Sequence, residues 1–139
     1  MIWKIKPSLE TLNKMTKNTM LAHLGIEFIA IGDEYITASM PVDHRTVQPF
    51  RLLHGGASVS LAESLGSVAS QIVVSSMGIK VVGLEINANH LRTAKEGQTV
   101  FGTAKPIKIG KSIHVWNIEI KDDADEMVCI SRLTVAILS

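Results

Sequence analysis

Gln48, His54, the pair Gly55-Gly56, Glu63 and Ser67 have types and spacings that suit chemistry at a carbonyl carbon. A turn-rich loop carrying Gln48 and His54 runs through the double glycine into an apolar helix. Eight residues past Gly55 that helix carries a single carboxylate, Glu63. Its neighbours Leu61, Ala62, Leu65, Gly66 and Val68 belong in a core, where a charge is costly unless it is paired, hydrogen-bonded or at work. A carboxylate so placed can attack a carbonyl or take a proton from water. A backbone N–H at a helix N-terminus offers an oxyanion a donor aligned with the helix dipole. The glycines let an acyl group approach that backbone closely. Competing nucleophiles are missing: there is no Gly-x-Ser-x-Gly elbow, and Cys129 falls in an expected strand without a nearby base. Taken singly, each residue has a plain structural explanation. The glycines would shape a loop-to-helix turn, His54 would satisfy backbone groups, and Glu63 would be a solvated helix residue or, as its apolar neighbours favour, a buried, paired glutamate. The spacing of the whole set favours chemistry.

The elements that must hold these residues follow from the pattern of apolar positions. Pro7-Ser8 followed by Glu10 starts a helix that ends near Asn18, with Leu9, Leu12 and Met15 on one face. Strands are expected over 25–31 and 35–42, the second with Ile36, Ala38, Met40 and Val42 on one face. Residues 43–53 lack periodicity and read as a loop. A long helix rich in small residues is expected over 57–76, with Leu61, Leu65, Val68 and Ile72 at helical spacing. Four strands follow, over 79–91, 98–107, 112–121 and 127–138, the first with Val82, Leu84, Ile86 and Ala88 on one face. Short turns between them make the late strands antiparallel neighbours. The fold class is α+β, one antiparallel sheet wrapped around a long central helix, in a single domain over 1–139.

Composition bounds the partners. A net charge of +1 sets up no global field for nucleic acid. The single Cys129 and five scattered histidines imply neither a disulfide nor a metal set, and no cofactor is expected. The N-terminal residues lack a signal-peptide core, and no run reaches the ~18 apolar residues of a membrane span. A cytoplasmic protein with no membrane partner is expected. With 46% hydrophobic and 19% charged residues, apolar surface remains for an oligomer.

This order of elements, with Leu-His-Gly-Gly-Ala opening the long helix and Ala-Glu-Ser beyond it, resembles the hotdog-fold acyl-CoA thioesterases. The match is to the branch with a helix-borne glutamate, which includes enzymes for 4-hydroxybenzoyl-CoA and 1,4-dihydroxy-2-naphthoyl-CoA and the enterobactin-pathway proofreading thioesterases. Gly83-Leu-Glu-Ile-Asn-Ala-Asn-His90 and Ser131-Arg-Leu-Thr134 extend the resemblance over essentially the whole chain. It implies that Glu63 is the catalytic carboxylate, as nucleophile or as general base for water. It implies that the Gly55 N–H polarises the thioester carbonyl, that Gln48 and His54 hold the carbonyl or the water, and that Ser67 orients substrate or water. It also implies that the CoA moiety meets Val82, Asn89, His90, Leu91 and Arg92 on and just after one strand, and Pro106, Ile107, Lys108, Ile109, Gly110 and Lys111 at the end of the next strand and its turn. A tetramer built from two dimers is implied as well. A non-catalytic acyl-CoA-binding module is the alternative, and it would have no need for Glu63. The Pro-rich surround of the catalytic histidine in hotdog dehydratases is absent.

Distance adds a condition. Gly55 and Glu63 are eight residues apart on one helix, about 12 Å along its axis. One thioester cannot touch both within a chain. If both act on one carbonyl, Glu63 comes from a second subunit across a two-fold interface.

Overall fold

The sheet has six antiparallel strands in the order β1-β2-β4-β5-β6-β3. They are β1 Glu27–Ile31, β2 Ile36–Pro41, β3 Lys80–His90, β4 Thr99–Ile109, β5 Ile113–Lys121 and β6 Met127–Leu138. One long helix, α3 (Gly55–Val74), packs on β2 through β6, and a single 3₁₀ turn, Ser75–Met77, ends it. This computed structural model describes residues 1–138. The expected fold class holds, and the expected elements follow in the expected order with one short helix added. The helix begins two residues earlier than the apolar pattern suggests, so both glycines lie in its first turn.

Small residues set how close the helix comes to the sheet. A Cβ on Gly66 would lie 2.5 Å from Leu133 Cδ2, and one on Gly102 would lie 2.6 Å from Leu65 Cδ1. Leu61 and Leu65 are fully buried in this contact, each contributing about 1.5–3 kcal/mol by burial alone. The span Gly55–Met77 is long and apolar enough to cross a bilayer by length and composition, with a mean hydropathy of 1.3, although the sequence contains no unbroken apolar run of that length. Here it is the core helix, and 61% of that window is buried.

A polar chain pins α3 to the sheet from within. Trp116 Nε1 donates to Ser70 Oγ at 2.7 Å, and Ser70 Oγ meets His114 Nδ1 at 3.1 Å. Trp3 stacks on Trp116 with centroids 6.4 Å apart. Burial pushes the His114 imidazole below its ordinary value. The unfolded chain therefore binds a proton on this group before the folded one does, so stability falls as pH drops below about 6.5. Between pH 7 and pH 5, the melting temperature of the wild type should fall more steeply than that of His114→Gln. Parallel curves in a thermal melt series would remove this role.

The N-terminal helix is shorter than expected. α1 is Leu9–Met15, capped by Ser8 Oγ accepting the Thr11 N–H at 3.1 Å. Asn13 ties it to β1 by donating to the Phe28 carbonyl at 3.0 Å and accepting the Phe28 N–H at 2.9 Å. A separate four-residue helix, α2 (Met20–His23), follows Asn18, whose φ is 59°. The sequence pattern did not foretell it.

Strand β3 also departs from expectation. Its pairing with β6 shifts between Gly83 and Glu85, making Leu84 the extra residue of a bulge. Alternation therefore breaks there. Val81, Ile86 and Ala88 pack on the core, whereas Val82 and Leu84 are 47% and 61% exposed. Among the described residues, β3 has β6 on one side and no strand on the other.

Candidate functional site

The segment 43–54 is more regular than its composition suggests. Val47 bridges Leu53, and Leu52 bridges Lys95. The Gln48 N–H donates to the Leu52 carbonyl at 2.8 Å, and the Arg51 N–H to the Gln48 carbonyl at 2.8 Å. Arg51 adopts φ 61°, a conformation unusual for a side-chain-bearing residue. Its guanidinium grips Glu96 through Nε at 2.8 Å and a terminal nitrogen at 2.5 Å. That guanidinium holds the Glu96 carboxyl below its usual range. Gln48 Oε1 accepts the Phe50 N–H, which leaves the Gln48 amide nitrogen free to donate.

His54 is the N-cap of α3. Its φ and ψ are −71° and 131°, and its Nδ1 accepts the Gly56 N–H at 2.7 Å. A backbone N–H only donates, so Nδ1 must carry the lone pair and the neutral ring bears its proton on Nε2. His54 thus presents a donor outward, and protonating Nδ1 would break the cap. The His54 carbonyl takes the Ala57 and Ser58 N–H groups at 3.0 and 3.3 Å. Among the described residues no acceptor meets the Gly55 N–H, leaving it as the open donor at the helix start.

Gly55 and Gln48 share a cavity of about 390 Å³ with Leu53, Ser58, His90 and Arg92. The His90 ring lies against Gly55, where an added Cβ would sit 2.8 Å from Nε2. A side chain at position 55 would force the His90 ring to shift.

Glu63 lies elsewhere. It is exposed, although Leu61, Ala62, Leu65 and Gly66 beside it are buried as expected and Val68 is half-buried. Its carboxylate rests over Gly83 of β3, where a Cβ would be 2.6 Å from Oε1. Ser67 joins it in a second cavity of about 270 Å³, with Met20, Leu21, Val59 and Ser60. The buried, paired glutamate considered from sequence is therefore corrected: among the described residues Glu63 has no ion-pair or hydrogen-bond partner. Gly83, Met20 and Leu21, which surround Glu63, were not among the residues expected from sequence. A glycine inside a strand marks close approach, so Gly83 did carry a signal.

The residues assigned to CoA also fall into separate groups. His90 pairs with Cys129, while Val82 pairs with Ala136, itself opposite Ile113 at the β4–β5 turn. These positions are eight residues apart along β3, about 25 Å. His90, Leu91 and Arg92 therefore sit at one end of the sheet. Val82 and the turn carrying Lys108, Ile109, Gly110 and Lys111 sit at the other. Pro106 and Ile107 lie at a shift in the β4–β5 pairing, which lets the strand run on through Ile109. Asn89 lines a polar cleft with Asn87, Asn117 and Arg132 rather than the cavity of His90. No three His, Cys, Asp or Glu side chains converge among the described residues.

The thioesterase superfamily model matches residues 50–129. The chain belongs to the thioesterase superfamily. Its six-stranded sheet around one helix is the hotdog fold, and its enzymatic class is thioester hydrolase. A 1,4-dihydroxy-2-naphthoyl-CoA hydrolase of Escherichia coli is 56% identical over 138 residues, covering 99% of this chain and 100% of that one. A Pseudomonas aeruginosa thioesterase, crystallised as a glutamine-to-alanine mutant, superposes with a TM-score of 0.96 at 51% identity over 99% of both chains. A Staphylococcus aureus relative has been crystallised both as a glutamate-to-alanine and as a glutamine-to-alanine mutant. Its glutamate mutant is 41% identical, with a TM-score of 0.80 over 85% of this chain and 97% of that one. The two mutated positions of that thioesterase are fifteen residues apart, the separation of Gln48 and Glu63 here.

Proposed function

We propose that this thioesterase hydrolyses acyl-CoA thioesters with aromatic or medium-chain acyl groups, in the cytoplasm and without a cofactor, and that its active site is shared between two subunits. The observation that carries the reading is the pairing of an open Gly55 N–H at the start of α3 with an unpartnered Glu63 carboxylate two turns along the same helix. The 1,4-dihydroxy-2-naphthoyl-CoA hydrolase relative supports an aromatic acyl group.

Each half-site rests on β3: Glu63 on Gly83, and Gly55 against His90. If the open edges of two β3 strands pair antiparallel with Gly83 opposite His90 of the partner subunit, Glu63 comes to Gly55 of the partner subunit. The same operation crosses two α3 helices near Val59. It also carries His90, Leu91 and Arg92 toward Val82 and the β4–β5 turn of the partner subunit, bringing the two groups assigned to CoA to one end. One axis would thus complete both the reacting centre and the nucleotide contacts. A dimer of dimers is the expected assembly.

In the completed site the Gly55 N–H, aided by the free Gln48 amide and the outward Nε2–H of His54, holds the thioester oxygen as charge develops on it. Glu63 attacks the carbonyl carbon to form a mixed anhydride that water then hydrolyses, releasing the carboxylic acid and freeing the carboxylate, or it takes a proton from a water that attacks the carbon and passes that proton to the departing sulfur. Ser67, one turn on, orients that water or the acyl group. The carbon–sulfur bond breaks and CoA leaves as the thiol.

Thiol release should be measured from benzoyl-, dihydroxynaphthoyl- and hexanoyl-CoA with a metal chelator present. Turnover of at least one substrate, unaffected by the chelator, is expected. No turnover on any of them, or turnover abolished by the chelator, would overturn the reading.

A further inference from the structure

The hairpin that carries Gln48 has an arginine where a glycine is expected. The Arg51 N–H returns to the Gln48 carbonyl and the Gln48 N–H to the Leu52 carbonyl, both at 2.8 Å, and Val47 bridges Leu53. Such a hairpin has a bulge whose left-handed residue is ordinarily glycine. Here that position, with φ 61°, is Arg51. The left-handed region disfavours a side chain, so the reason for arginine lies in what its side chain does.

Stability is not that reason. The Arg51 and Glu96 side chains are 56% and 39% exposed, and exposed ion pairs contribute little to folding. A two-pronged guanidinium supplies geometry instead. Its partner is a fixed post between β3 and β4. There the Gly97 N–H donates to the Val42 carbonyl at 2.8 Å and the Lys95 N–H to Gln98 Oε1 at 2.7 Å. The Glu96 N–H also donates to the Arg51 carbonyl at 3.3 Å. Nearby Asp43 is already taken by Arg45 at 2.7 Å, which leaves Glu96 for Arg51. Packing does not hold the tip of the hairpin, because Phe50 is 85% exposed. Yet it is the Phe50 N–H that fixes Gln48 Oε1.

We propose that Arg51 and Glu96 are positioning residues that aim the Gln48 amide at the thioester oxygen. The grip of Arg51 on Glu96 locks the left-handed turn. The turn sets the Phe50 N–H, that N–H holds Gln48 Oε1, and the Gln48 amide nitrogen is left pointing outward as a donor. The inference rests on the proposed role of Gln48 at the reacting centre and names what orients it. A donor misdirected by a fraction of its hydrogen-bond length fails in the transition state while substrate still binds.

The test compares kcat, KM and melting temperature for the wild type, Arg51→Gly, Glu96→Ala, Gln48→Ala and the double variant Arg51→Gly/Gln48→Ala. The substrate is whichever of benzoyl-, dihydroxynaphthoyl- and hexanoyl-CoA the wild type turns over fastest. Glycine adopts a left-handed φ without strain, so Arg51→Gly should melt no lower than the wild type. Glu96→Ala breaks the same grip from the other side and decides the matter if Arg51→Gly fails to fold. Each should lower kcat at least about tenfold, with KM within about twofold of the wild type. The double variant should be no slower than Gln48→Ala alone, because Arg51 acts through Gln48. Wild-type kcat in the folded single variants, or a change confined to KM, would overturn the inference and leave the hydrolase reading standing. So would losses that multiply in the double variant, which would make Arg51 a structural residue only. Wild-type kcat in Gln48→Ala would remove Gln48 from the reacting centre, and no turnover by the wild type would remove the substrate reading. Either result would overturn this inference too.

Discussion

Glu63→Gln is expected to lower kcat by at least about 10²-fold with little change in melting temperature, because it removes a nucleophile or general base without altering shape. The structure makes this a clean experiment. Glu63 is exposed in the single chain and makes no hydrogen bond or ion pair among the described residues. Its oxygen sits over Gly83, where the isosteric amide fits equally well. A fold that does not depend on the carboxylate leaves chemistry as the way for its loss to appear. The measurement is kcat at saturating thioester beside a thermal melt. If the glutamine variant kept most of wild-type kcat, the catalytic assignment would be wrong, whatever happened to KM.

The second large effect is a gain. Glu63→Ala and the double variant Gln48→Ala/His54→Ala should each be inactive, and refolding them together should restore activity. In a mixed dimer one site carries all the lesions and the other carries none. Random pairing of equal amounts makes half the dimers mixed, so about a quarter of wild-type specific activity should return. Loss of the His54 cap costs α3 about 1 kcal/mol, so the assay belongs well below the melting temperature of the double variant. Mixed dimers confirmed by mass spectrometry, yet as inactive as either parent, would rule out a shared site.

Much of this molecule was legible in its sequence because separate signals agreed. The strand over 127–138 has its expected bounds. Leu61 and Leu65 face the core at helical spacing, and the eight residues from Gly55 to Glu63 pose the shared-site question from the sequence alone. The failures have physical causes. The start of α3 was missed because a histidine ring nitrogen does the capping, whereas the usual capping signal is a Ser, Thr, Asp or Asn oxygen. Leu84 was assigned to the wrong face because a bulge resets alternation and shows little in the residue types. Asn89 and His90 were placed together although neighbours on a strand point to opposite faces. Glu63 was expected in a buried setting because its neighbours are apolar. Those neighbours face the sheet of their own chain, and only an assembly would cover the face that Glu63 occupies.

If two copies complete the site across the open edge of β3, activity becomes a matter of mass action. If half of each site sits on a different chain, diluting the enzyme lowers the number of sites as well as the number of molecules. Specific activity should then climb with protein concentration until dimerisation saturates. The same edge is open to any extended peptide able to add a strand to it. Such a peptide would resemble neither CoA nor an acyl group, and it would inhibit by preventing the site from being assembled.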